Sequence, residues 1–396
     1  MTPEGSVLID LPREAGAPVG VRFSQPGDVY NVLRERTPEQ ALTLLPALYS
    51  VCATAQSHAA TLALEDALGV EVTPATQQAR YALTSMETLR EHVLRIALDW
   101  PGFLDEQPRG ADVRTVMGLG PRMAAALFQG RSAFRIDQEL DADVSAAHAV
   151  VDEAEELLVA ELFHEPIEAW LSRTSVDDLL SWANDRKSVA ARLMAVVFAD
   201  GSSNSGATTA VPLMPPDARS ISRWLQQDGR DELPDFATAT PHVPETTLFS
   251  RRLSDPIVSG LGGHGLSARL LARLVELARL PGELRKMVDA KNAASFAGCG
   301  SSAVKAPDIH QNCSNGSGWA SVEAARGLLI HAVELRDGVI ADYRILPPTR
   351  WNFDAVGVAQ RALTQLNCSD ATEKTRQANL IVNAIDPCVA HQVRVH

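Results

Sequence analysis

The sequence predicts a mostly α protein with a helical-bundle core and small peripheral β-hairpin elements. Long Ala- and Leu-rich stretches place apolar residues three and four apart, the spacing of one helix face. Two of these stretches open on helix-start chemistry, Thr73 before Pro74 and Ser175 with Asp178 three residues on. Period-two alternation is concentrated near the chain's two ends, in SVLIDLPREAGAPVGVRF and in RGLLIHAVELRDGVIADYRILPP.

Taken in order, residues 6–23 read as a hairpin or paired strands, broken by Pro and Gly. Residues 38–69 then read as helix with a bend at Pro46, and 73–100 as a second helix. Helical patterns return over 120–130, 140–170 and 174–199, so these segments form a bundle. Residues 200–216 and 228–265 are polar and rich in Pro and Gly, hence loops. A Gly/Ser-rich stretch over 293–325 leads into a hairpin turning at Asp337-Gly338, the strongest turn signal in the chain. Two amphipathic helices, DAVGVAQRALTQLN and TEKTRQANLIVNAI, deliver the chain into DPCVAHQVRVH. One domain over 1–396 is expected: an N-terminal β element (1–35), a helical bundle (36–290), a loop and β-hairpin (291–350), and C-terminal helices with a metal-ligand tail (351–396).

Composition excludes several function classes. With 36 Lys+Arg against 49 Asp+Glu the formal charge is -13, and no basic run offers phosphate contacts, so nucleic acid is not expected as a partner. The N-terminus has acids where an export signal has a basic region, and every apolar run falls short of the roughly 20 residues a membrane span needs. A soluble cytoplasmic protein with no membrane partner is expected. The five cysteines, Cys52, Cys299, Cys313, Cys368 and Cys388, are odd in number and scattered, which suits reduced thiols.

Three groups of residues carry candidate chemistry. Cys388 and His391 stand three apart in DPCVAH, a spacing with which both reach one metal; alternatively the tail is simply solvated. Cys52 lies among Ala, Val and Leu on a predicted core helix, where a thiol is usually a small buried hydrophobe. Cys299, His310 and Cys313 also read as donors of a zinc site with a fourth ligand elsewhere, although they match no compact zinc spacing. The Gly-rich GCGSSA and GLGPRM follow no strand of a βαβ unit and are set aside as phosphate loops. Glu323, Arg326 and Thr349 flank the hairpin, where solvated or capping roles are the default.

Four segments taken together resemble one family. PEGSVLIDL, ALYSVCATAQSHAATLALEDALGVEV, EAARGLLIHAVELRDGVIADYRILPPTRWNF and DPCVAH resemble, in the same order, the signature blocks of nickel-iron hydrogenase large subunits. In that family four thiolates hold nickel, and two of them bridge to an iron bearing cyanide and CO. The resemblance places Cys52 and Cys388 on two of the four thiolates, with Tyr49 and His391 where the other two belong. Gln56 replaces the first block's histidine and Arg394 the last block's. The chain ends two residues after Arg394, so no extension to be trimmed is expected. Two thiolates and an imidazole are a poor nickel site, so no nickel and no hydrogen turnover are expected. The same donors, Cys52 and Cys388 with His391, suffice for an Fe(CN)2CO unit.

The resemblance further assigns Arg326 and Thr349 to the pocket of the diatomic ligands, with Ala325 in place of the usual proline, and Glu4 to the family's proton-relay position. A chain of this length with these losses is similar to the HupK/HoxV group of hydrogenase expression/formation proteins. For such a protein the implied role is a scaffold that holds Fe(CN)2CO before transfer to the hydrogenase large subunit, with HypC/HypD-type maturation proteins and a HypC-like chaperone as partners. The competing readings are a cryptic hydrogenase-like oxidoreductase with an altered metal site, and a metal-free decoy competing for the chaperone.

Overall fold

The computed structural model describes residues 5–14, 17–24, 29–209, 212–227, 233–234, 244–289, 316–368 and 370–396. Thr37 opens the helix Pro38–Leu48: its hydroxyl accepts from the Gln40 N–H, and the Gln40 side chain accepts from the Thr37 N–H. The single helix expected over 38–69 is in fact two. Pro46 removes a backbone donor, the first helix stops at Leu48, and a second runs Ala53–Leu68. Cys52 therefore sits at the N-terminus of the second helix, in the break rather than within a continuous helix.

Thr73 caps the helix Pro74–Leu94 as its sequence predicts, and the chain continues through a π-helical turn, Arg95–Asp99. Helices Gly110–Phe128 and Val144–Leu158 pack beside it. The segment 174–199 divides at Arg186, which has φ of 53°, into Val176–Asn184 and Val189–Ala199, capped by Ser175 and Ser188.

The bundle is organised about a 24-residue helix, Leu266–Asp289, to which the sequence reading gave no element of its own. Four arginines mask its apolar pattern, and two of them, Arg269 and Arg273, are buried. Each arginine meets a carboxylate from elsewhere in the chain: Arg269 with Glu245, Arg273 with Asp386, Arg279 with Asp255, and Arg285 with Asp152 and Glu155. Such pairing is what makes a buried guanidinium tolerable.

Two three-stranded sheets flank the bundle. In the first, β1 (Ser6–Leu11) pairs antiparallel with β2 (Gly20–Ser24). The second is the meander β3 (Ser317–Ala324), β4 (Gly327–Arg336) and β5 (Val339–Leu346), and the predicted turn joins β4 to β5. Asp337 and Gly338 both take positive φ, 53° and 80°, as a tight two-residue hairpin loop requires. Its face lies against Ala53–Leu68. The tail, read from the sequence only as a metal-ligand segment, forms a further strand, β6 (His391–Val395), parallel to β1 with His391 opposite Val7. Among the described residues no helix is long and apolar enough to cross a membrane.

Between β3 and β4 the turn ends on Gly327 at φ of 125°, where a Cβ would run into the Thr246 carbonyl. Gly327→Ala is expected to destabilise the protein by about 1–3 kcal/mol from backbone strain alone, read as a lower urea midpoint.

Candidate metal centre

One face of the helix Pro74–Leu94 and the turn after it sets up the site. Glu87, Arg90, Glu91 and Arg95 recur at three-to-four spacing and so project to one side. The Glu87 carboxylate accepts from the Thr54 N–H at 2.8 Å and the Ala55 N–H at 2.9 Å. It thereby caps the helix that begins after Cys52, whose own side chain makes no capping bond. Arg90 donates to the Val51 carbonyl at 3.1 Å. Together they hold the break that carries Tyr49 and Cys52. Glu87→Gln is expected to cost about 1 kcal/mol, as loss of a helix cap does, and to speed alkylation of Cys52 as that turn loosens.

The other thiol is held from the far end of the chain. The helix Ala371–Ile385 ends on Asp386 in the left-handed region, φ of 68°, which turns the chain sharply before Pro387 and Cys388. Asp386 is buried and meets three guanidinium groups, from Arg95 at 2.7 Å, Arg273 at 3.2 Å and Arg326 at 3.3 Å. Burial would raise its carboxyl, but Arg326, Arg95 and Arg273 outweigh that and hold it far below the usual carboxylate range. Arg95 also donates to the Pro387 carbonyl at 3.0 Å, so one side chain grips both ends of the turn.

Arg326, delivered by the turn before Gly327, links the two halves by donating to Glu91 at 3.0 Å and to Asp386 at 3.3 Å. Its remaining terminal nitrogen, Nη1, is buried and has no hydrogen-bond partner among the described residues. An unpaired guanidinium N–H of this kind marks a place where an acceptor belongs.

Cys52, Cys388 and His391 line one cavity of about 290 Å³, with Tyr49, Arg95 and Pro347 also in its wall. Cys52, Cys388 and His391, the three donors the sequence singles out, thus meet in space. Both thiols are half-buried, and neither is in a disulfide among the described residues. Burial raises both; at Cys52 the neighbouring Cys388 adds to the rise, while at Cys388 the Arg326 charge and a Thr349 hydrogen bond oppose it. Burial lowers His391, which keeps its imidazole in the neutral, ligand-competent form. Still, no group of three or more His, Cys, Asp or Glu side chains stands together as a ready-made metal site among the described residues.

Thr349 lies beside Cys388: its hydroxyl accepts from the Cys388 N–H and donates to Cys388 Sγ, both at 3.0 Å. The hydroxyl that the resemblance assigned to a cyanide here fixes the cysteine. Glu323 pairs with Arg251 at 2.6 Å, a structural role away from the cavity wall. Glu4, Cys299, His310 and Cys313 lie outside the described residues.

Sequence reasoning missed Glu87, Glu91, Arg95 and Asp386 as site-building groups. The spacing of Glu87, Glu91 and Arg95 along one stretch was the available signal; their separate targets, the Thr54 and Ala55 N–H groups, Arg326 and Asp386, were not visible locally.

Comparison with known proteins places this arrangement. Residues 260–394 match the family model described as nickel-dependent hydrogenase. The hydrogenase expression/formation protein HoxV of Cupriavidus necator is 30% identical over 386 residues, covering 94% of this chain and 92% of that protein. HupK of Azotobacter vinelandii, another hydrogenase expression/formation protein, is 26% identical across 95% of this chain and 94% of its own length. Among solved structures, the Ni-Fe-Se hydrogenase from D. vulgaris Hildenborough superposes with a TM-score of 0.61 at 16% identity, covering 93% of this chain and 92% of that one, which shows a shared fold. The chain belongs to the HoxV/HupK family of hydrogenase expression/formation proteins, and it is built on the fold of the hydrogenase large subunit.

Proposed function

We propose that this protein is a cytoplasmic assembly scaffold that holds an iron unit bearing cyanide and CO, Fe(CN)2CO, on Cys52 and Cys388, and then passes it to the hydrogenase large subunit. The observation that supports this reading is the meeting of two thiols from opposite ends of the chain in one cavity, with the charge of the buried Arg326 acting on both of them. An iron whose other positions carry strong-field diatomic ligands needs few protein donors, and soft thiolates suit it. Binding displaces the thiol protons, so the Arg326 and Arg95 charges offset what two thiolates bring. In this reading Thr349 steers Cys388, Arg326 Nη1 is the donor available to a cyanide nitrogen, and His391 is a third ligating side chain in the cavity wall.

Nickel is not expected to bind, and the protein is not expected to turn over hydrogen. Tyr49 occupies the cavity wall where the resemblance would require a third thiolate. HypC/HypD-type maturation proteins are the natural donors of the unit, and a HypC-like chaperone its carrier. The test is infrared spectroscopy of the protein isolated without oxygen from cells whose assembly machinery is active. Metal-bound CO and cyanide bands are expected; their absence, with the machinery shown to work, overturns the reading.

A further inference from the structure

Behind Cys52 the structure holds a line of buried polar groups that the metal site itself does not explain. Gln56 lies one helical turn on from Cys52, with its amide nitrogen 3.8 Å from Cys52 Sγ. Its amide oxygen is 2.8 Å from His331 Nε2 on β4. The other ring nitrogen, His331 Nδ1, is 2.8 Å from the Tyr343 hydroxyl on β5. Gln56, His331 and Tyr343 are all buried, at 1%, 0% and 3% exposure.

We infer that Tyr343, His331 and Gln56 form a one-way hydrogen-bond chain that presents an N–H to the Cys52 sulfur and so sets how strongly that sulfur donates to bound iron. The inference rests on the iron-holding role proposed above. Its direction follows from counting donors. An amide oxygen only accepts, so His331 Nε2 carries the ring proton; burial keeps this imidazole neutral, lowered to about 3, so Nδ1 is bare and accepts from Tyr343.

The reversed chain would turn the Gln56 amide around, place the ring proton on Nδ1 and make the Tyr343 oxygen the acceptor. The Tyr343 hydroxyl hydrogen would then need a new acceptor, and this oxygen has no hydrogen-bond partner besides His331 among the described residues. Stranding a buried donor is unfavourable by about 1–3 kcal/mol. Tyr343 therefore acts as the stop that fixes the order, and His331 fixes the Gln56 amide, whose orientation is otherwise free to invert. These are positioning residues: only Gln56 touches the thiol.

The chemical consequence is on the sulfur. An N–H directed at a thiolate draws electron density from it, which leaves less for the metal to return to CO. A glutamine does this without a titratable ring next to the sulfur.

Two measurements test the chain. The first is nitrogen NMR of the isolated protein labelled with 15N-histidine, with the His331 signals assigned by their loss in His331→Phe. Protonated Nε2 and bare Nδ1 are expected; the opposite tautomer overturns the inference whether or not any iron is held. The second is infrared spectroscopy of the iron-loaded protein. Gln56→Leu removes the N–H, and Gln56→Met keeps the length of the side chain while having no N–H or O–H to give. Both are expected to move the CO band to lower wavenumber. A Gln56→Met band coincident with wild type overturns the chain's role. Absence of any CO band in wild type instead defeats the iron-holding reading, and leaves the tautomer result standing on its own.

Discussion

Asp386→Asn lowers the stability of this protein by about 3–5 kcal/mol, the expected effect of removing one partner from a buried ionic cluster. The substitution isolates charge from shape. Asparagine matches aspartate in size and is also at ease in the left-handed conformation that residue 386 adopts. What disappears is the counter-charge shared by Arg95, Arg273 and Arg326, of which Arg273 and Arg326 are buried. Arg273 already feels the strain of its setting, since burial and the neighbouring arginines bring it down to about 10 even with Asp386 present.

The same carboxylate predicts a pH dependence whose sign is fixed. The native Asp386 carboxyl is depressed below its usual value of 3.8. Its contribution is therefore complete above the usual carboxylate range and is lost as pH falls from there toward the depressed native value. Urea denaturation as a function of pH should show the gap between wild type and Asp386→Asn narrowing as the solution is acidified through that window. A gap that is constant with pH, or a variant within about 0.5 kcal/mol of wild type at neutrality, would show that the three arginines do not depend on this charge.

From the proposed iron-holding role, Cys52→Ser and Cys388→Ser are each expected to abolish retention of the iron unit. A serine hydroxyl is a hard donor that stays protonated near neutral pH and cannot replace a soft thiolate. Both positions are half-buried, so the fold should tolerate the exchange, and an unchanged denaturation midpoint is the control. Iron per protein, measured by elemental analysis, and the CO and cyanide bands are expected to vanish together. Arg326→Lys should be milder, weakening retention about 10–100-fold as changes around a metal's ligands do. Lysine cannot serve Glu91, Asp386 and a third acceptor at fixed angles as the planar guanidinium does. A double serine variant that still carries the iron unit would remove both thiols from the scaffold role.

The sequence by itself determined what depends on neighbours along the chain. The apolar spacing and the Thr73 and Ser175 caps specify helices, and Asp337-Gly338 specifies the turn between β4 and β5. These signals act within a few residues, so they survive in a one-dimensional reading. The ordered resemblance of four segments carried the family as well.

The tertiary structure decided the rest. That Cys52 lies in a break between helices depends on Glu87 and Arg90, which reach it from the next helix. That Leu266–Asp289 is a helix at the heart of the bundle despite its arginines depends on carboxylates drawn from remote segments. The directed contact from Tyr343 through His331 to Gln56 exists only because the meander packs on the helix that begins after Cys52. Charge compensation and buried hydrogen bonds are satisfied by whichever groups folding brings together, and so periodicity does not encode their partners.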